Sequence, residues 1–237
     1  MKADDSDRIG CELARHQALH DPLRDPRNAL PWLPELRRWQ AGRLQRSFDH
    51  FLEDPRRAPA TGFFLSDVYG DRDFRRRDAD IARVIPMMRR LLPAKLLVTV
   101  TDAIELGALT QELDLGMAQA LADIAPRRRR LDTPLYGRAY RALGEAESRE
   151  RQIGLIGAVG RGFAKAVHMP GVAKLLALSH GPARVAGLGE LQGFLERGFA
   201  AFESLDDPDA FVAEIERDER QASARLFAGD PDPFGWG

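Results

Sequence analysis

Apolar residues recur at spacings of three and four along almost the whole chain, and no stretch longer than a few residues alternates strictly between apolar and polar. At 3.6 residues per turn that spacing lines one face of a helix, whereas a half-buried strand needs a period of two. The fold is therefore read as all-α, a multi-helix bundle of roughly 8–10 helices with no significant sheet. Proline fixes φ and lacks a backbone donor, so it sets the punctuation. A first helix is expected over 6–20, with Ser6 as its N-cap, followed by the loop DPLRDPRNALPW. Further helices are expected over 34–54, 71–92 with a kink at Pro86, 93–113, 116–124, 134–143, 145–168, 170–178, 182–204 and 208–227. Asp132-Thr133-Pro134 is a capping residue followed by proline in the first turn, a start signal for its helix. The segment 55–70 reads as a loop.

This pattern organises the chain into an N-terminal helix and proline-rich loop (1–33), one helical domain (34–228) and a flexible tail (229–237). Within the domain, the connection at 126–133 is where sub-bundles could divide. No internal repeat at about 30 to 45 residues supports a helical solenoid.

With 237 residues, 44% of them hydrophobic, the chain can bury a sizeable core. Its 35 basic and 36 acidic residues balance, which leaves no long-range attraction for nucleic acid or an anionic membrane. Only Lys2, Lys95, Lys165 and Lys174 are lysine, and this arginine bias fits a GC-rich bacterial genome. Cys11 is the single cysteine, so an internal disulfide and a multi-cysteine zinc site are both excluded. The start MKADDSDRIG lacks the apolar core of a secretory signal, and the longest apolar patches, 96–100 and 153–159, fall far short of the roughly 20 residues that span a bilayer. A cytoplasmic location is the expectation.

The densest chemistry lies between Phe63 and Pro93, where an aromatic, glycine-punctuated stretch runs into a charged helix. Asp73 with Arg76 and Arg77, and Asp80 with Arg83, have the spacing of helix-surface ion pairs. Phe63, Phe64, Tyr69, Asp73, Phe74, Arg77 and Asp78 are the expected groove for a partner, either another protein or a second copy. Gly154, Gly157, Gly160 and Gly162 brush against a phosphate-loop spacing, but the residues before them are helical. They read instead as a helix face that lets another backbone approach. The alternative is a small-molecule or haem pocket built from Gly157, Gly160, His168 and His180, since one axial histidine in an all-α core is enough.

His16 and His20 lie four apart, yet no HExxH or carboxylate pair completes a metal site. Arg127 to Arg130 read as a solvated linker. Phe234 and Trp236 in the tail are the aromatics that could dock into a groove. No Glu-x-x-His occurs, and no nucleophile and base are paired, so no catalytic residue, metal or cofactor is assigned. The function expected is non-catalytic protein binding.

Phe63-Phe64, Val68-Tyr69-Gly70, Asp73-Phe74, Arg77-Asp78, Asp80-Ile81 and Pro86-Met87 resemble a motif of uncharacterised bacterial proteins that carry a domain of unknown function. The run GPARVAGLGELQGFLERGFAAF is similar to the end of those proteins. The resemblance extends from about Trp39 onward and implies a bacterial, all-helical protein. No functional residue is carried over by it.

Overall fold

Ala94–Ile124 forms one helix of 31 residues, where the sequence pattern predicts two with a break near Gly116. A mid-helix glycine costs about 1 kcal/mol relative to alanine, but here its bare face is occupied. A Cβ on Gly116 would come within 2.8 Å of Leu143. Close approach of another side chain thus takes the place of the break that propensity predicts.

The computed structural model describes residues 2–68 and 94–236. Among them are ten α-helices and no strand. They are α1 (Lys2–His20), α2 (Trp32–Ser47), α3 (Asp49–Leu52), α4 (Ala58–Phe63), α5 (Ala94–Ile124), α6 (Thr133–Leu143), α7 (Ala146–Val167), α8 (Val172–Val185), α9 (Gly189–Glu203) and α10 (Pro208–Ala228). A 3-10 turn, Pro26–Ala29, follows Asp25, whose side chain accepts from the Arg27 amide. The all-α reading holds for these residues. The helix expected over 71–92, with its kink at Pro86, lies outside them.

Two boundaries differ from the sequence pattern for identifiable reasons. Residues 58–68, expected to lie in a loop over 55–70, are helical: α4 runs directly into a π turn, Phe64–Val68, because Phe63 and Phe64 are buried there. Pro182 lies inside α8 rather than opening the next helix. The stop comes instead at Gly187, whose φ of 74° only glycine adopts freely. The Leu188 amide then donates to the Ala183 carbonyl at 2.8 Å and the Gly187 amide to Arg184 at 3.0 Å, the two bonds of a Schellman end. The start of α6 is as predicted, with the Leu135 amide donating to Asp132 at 2.9 Å.

The chain divides into two compact units, and residues 126–133 fall within the first. Unit 1 comprises residues 1–47, 101–157 and 213–237. Leu36, Leu115, Met117, Leu121 and Leu135 are fully buried there. Trp39 stacks on Tyr136 with ring centroids 4.2 Å apart. The end of the chain packs on this pair: Phe234 lies 6.0 Å from Trp39, the Arg43 guanidinium sits 5.3 Å from the Phe234 ring, and Arg46 sits 4.3 Å from Trp236. Pro233, next to Phe234 in the chain, is fully buried.

Unit 1 also buries polar groups, and these are tied to one another. Arg37 lies 3.7 Å from the Asp114 carboxylate and hydrogen-bonds Gln111, which donates to Asn28 at 2.9 Å. Arg149 is only 6% exposed; it donates to Gln152 at 3.1 Å and sits 4.7 Å from the Tyr140 ring. Burial pushes the Asp114 carboxyl above its ordinary range, against the pull of Arg37 and Arg149. At the surface, burial of Glu105 is outweighed by its ion pairs to Arg8 at 2.5 Å and Arg151 at 2.7 Å, which leave that carboxyl below its ordinary range.

Unit 2 comprises residues 48–100 and 158–212, and its interior is a chain of phenylalanine rings. Phe51 meets Phe211 at 5.2 Å, Phe211 meets Phe64 at 6.2 Å, and Phe64 meets Phe202 at 5.9 Å. Phe202 stacks on Phe163 at 5.5 Å, and Phe163 meets Phe63 at 6.3 Å. Helix α9 packs on both α4 and α8.

Two outcomes are expected. Phe234→Ala removes a half-buried ring from the Trp39 and Tyr136 pair and should lower unfolding stability by about 2 kcal/mol. A urea midpoint equal to that of the parent chain would refute the docking of the tail. For Asp114 the folded-state value lies above the unfolded one, so its contribution to stability is full below about pH 4 and is lost as pH rises through the folded value. The stability difference, parent minus Asp114→Asn, should therefore fall as pH rises from about 4. Parallel stability curves from denaturation at a series of pH values would contradict this.

Candidate functional site

Helix α9 organises unit 2 around a glycine. A Cβ on Gly198 would lie 2.8 Å from the tip of Phe63, so the ring lies directly against the helix backbone. Phe63 also meets Phe194 at 5.2 Å on the same helix. Beside it, Asp67 at the end of the π turn is buried and pairs with Arg197 at 2.5 Å and 3.0 Å. Ser66 donates to the other Asp67 oxygen at 2.7 Å.

The residues singled out from sequence separate accordingly. Phe63 and Phe64 are 5% and 8% exposed, and their rings belong to the core of unit 2. Tyr69, Asp73, Phe74, Arg77 and Asp78 lie outside the described residues. Gly157, in unit 1, faces the carboxylate of Glu216, and Gly160, in unit 2, faces Val212, which a Cβ would approach to 2.7 Å. Both glycines thus admit a neighbouring side chain against the helix. His168 is exposed one residue beyond α7. His180 on α8 bonds Glu196 on α9 at 2.7 Å. The hydrogen bond from Gln192, with His180 beside it, holds the Glu196 carboxyl below its ordinary range. In unit 1, the tilted rings of His16 and His20 meet with centroids 4.2 Å apart, and the His20 Nδ1 lies 2.9 Å from the His16 carbonyl.

The structure adds a face that the sequence pattern did not single out. Helix α8 is held to α9 along one side. Gln192 donates to the Leu176 carbonyl at 2.8 Å, Ser179 donates to the Gln192 side-chain oxygen at 3.1 Å, and the half-buried Leu176, Ser179 and Ala183 line that side. No residue of α8 is buried. Its other side carries Leu175, Leu178 and Val185, which are 43%, 65% and 93% exposed, with Pro182, also exposed, between them. Their spacing of three, four and three puts all four on one stripe. The signal lay in those spacings. It was hidden because Gly181-Pro182 reads as the gap between two helices.

A stripe of aliphatic side chains has no acid, base or nucleophile to offer, so what it can do is bind another apolar surface. Among the described residues, no helix is long and apolar enough to cross a membrane. No curated protein and no solved structure matches the chain. Residues 19–233 match the family described as a domain of unknown function, DUF8198, and the protein belongs to that family.

Proposed function

We propose that this is a non-catalytic helical protein that binds another protein through the outer side of α8. One observation carries the reading: three large aliphatic side chains stand exposed in one row on a helix none of whose residues is fully buried. Isolated exposed leucines are ordinary on a protein surface, but a row of them on one element marks a contact surface. Burial against a partner would favour association by about 1–2 kcal/mol for each of these side chains. Unit 2 supports the helix from behind, through Gln192 and the rings beneath α9.

The site expected from sequence, around Phe63 to Asp80, takes a different place in this reading. Its described aromatics build the core that α9 rests on. The outer side of α8 takes over the role of the contact.

Leu178→Asp is the test. Because the side chain is 65% exposed, its thermal midpoint should match that of the parent within the range of an ordinary surface change, about 0.5 kcal/mol. A loss of about 2 kcal/mol or more would show that the stripe is covered by the chain itself, and the reading would fall.

A further inference from the structure

From Ile124 to Gly144 the sequence carries six arginines and a single acidic residue, Asp132, in a chain whose formal net charge is −1. Arg127, Arg128, Arg129 and Arg130 follow one another in the connection from α5 to α6, and all four are exposed, as is Arg138 on α6. The connection is tied down at both ends. Ala125 and Leu131 are each 8% exposed, the Arg128 amide donates to the Ala125 carbonyl at 3.1 Å, and the Leu131 amide donates to Glu35 on α2 at 3.1 Å. Asp132 caps α6 through the Leu135 amide at 2.9 Å. Each of these two carboxylates thus spends one oxygen on the backbone. With the other, Glu35 holds Arg38 at 2.5 Å and Asp132 holds Arg128 at 2.7 Å, and Arg138 acts on Asp132 through its charge. Arg129 donates to the Pro126 and Arg128 carbonyls, each at 2.9 Å. The guanidinium groups of Arg127 and Arg130 make no hydrogen bond or ion pair among the described residues. A run that reads from sequence as a solvated linker is held in place by its neighbours, with its charge turned outward.

We infer that this connection binds the sugar–phosphate backbone of a nucleic-acid duplex, a second contact that lies on unit 1 and does not rest on the reading of α8. The planar fork of a guanidinium matches the paired oxygens of a phosphate. Charge density selects phosphate over carboxylate: a duplex carries one charge per about 1.7 Å of its axis, whereas an extended peptide places at most one carboxylate per about 3.3 Å. Neighbouring arginines therefore release the most counterions against a duplex. An unpaired strand would need rings on which its bases stack, and Tyr136 and Tyr140, the aromatic residues of α6, are buried at 2% and 5% exposure. A segment lying in a membrane surface would mix apolar side chains with its cations, but between Ala125 and Leu131 the exposed residues are Pro126 and the four arginines. Contacts to phosphate carry no base identity, so the binding is independent of sequence. The field of one patch on a chain of net charge −1 reaches only about 10 Å at 0.1 M salt, which makes the attachment weak and dependent on salt.

The test is fluorescence anisotropy of the full chain with labelled DNA duplexes of about 20 base pairs and two unrelated sequences. Both should bind alike, with a dissociation constant on the order of 10 μM at about 50 mM salt and a slope of log affinity against log salt of about −3.6, the value for four neutralised phosphates. Arg127→Gln with Arg130→Gln should weaken binding about tenfold and bring the slope to about −1.8. The thermal midpoint of that variant should stay at the parent's, because neither guanidinium has a partner to lose. Lys174→Gln, which removes an exposed cation of α8, should change neither affinity nor slope. Absence of duplex binding at about 20 mM salt, or a slope that the double variant leaves unaltered, would overturn the inference. Tighter binding of the single strand than of the duplex would overturn it as well. Preference for a glutamate-rich peptide of about 20 residues would assign the arginines to an acidic protein segment instead, and preference for vesicles holding about one part anionic to three parts zwitterionic lipid would assign them to a membrane.

Discussion

The contact of Phe63 with Gly198 decides what unit 2 has left to expose. A phenyl ring can lie this close to a helix only where there is no Cβ, and the separation of 2.8 Å from the ring tip to a hypothetical Cβ leaves no room for alanine. With α4 pressed on one side of α9 by that ring, and Asp67 clamped to Arg197 beside it, α9 cannot turn to offer another surface. On the same helix Gln192 and Glu196 hold α8 through the Leu176 carbonyl, Ser179 and His180. The rings of Phe51, Phe63, Phe64, Phe163, Phe202 and Phe211 are committed to this interior. Helix α8 is therefore attached to α9 by polar bonds along one side.

Unit 1 handles its difficult residues in the opposite way. Trp39 and Tyr136 are covered by the chain's own end through Phe234. Arg43 pairs bidentately with Glu219, Arg141 donates to the Leu226 carbonyl at 2.9 Å, and Tyr140 shares a 2.8 Å hydrogen bond with Ser223. Buried charges that are tied in this way fix geometry, even where replacing them with apolar groups would cost little stability. Glu216 against Gly157 is the same economy of space, since the carboxylate fills what a Cβ would take. Self-satisfaction of this order leaves unit 1 little apolar surface: Leu23 is its one large hydrophobic residue exposed among the described residues, against Val98, Leu175, Leu178 and Val185 in unit 2.

Fold class was legible because the 3.6-residue period persists across local weaknesses such as Gly116, and because capping at Asp132 and helix ends at glycine are local chemistry. Continuity at Gly116 was not legible, since Leu143, which fills its missing Cβ, is remote in sequence. The glycine face over 154–162 was expected to admit another backbone, whereas Gly157 and Gly160 admit the side chains of Glu216 and Val212, which are tertiary facts, and Gly154 faces open space. Phe63 and Phe64 looked like contact residues because aromatics beside charged residues are common to surfaces and to cores alike. Only burial separates the two cases. The stripe on α8 was missed for the reverse reason: proline was read as a helix start, and dividing the segment at 182 cut the row of four into two pairs.

Proline and glycine inside α8 bear on more than its boundaries. Gly181 and Pro182 are the two poorest helix formers, and Pro182 removes a backbone hydrogen bond near the end of a 14-residue helix. A helix of that length is marginal by itself even without them. Its order thus depends on α9, through Gln192 above all, and on whatever covers its outer side. Any partner that binds only the helical form adds its binding free energy to the stability of that form. Docking on the stripe and ordering of α8 are then one equilibrium seen from two sides, and a helix weakened by Pro182 has the most to gain from being covered.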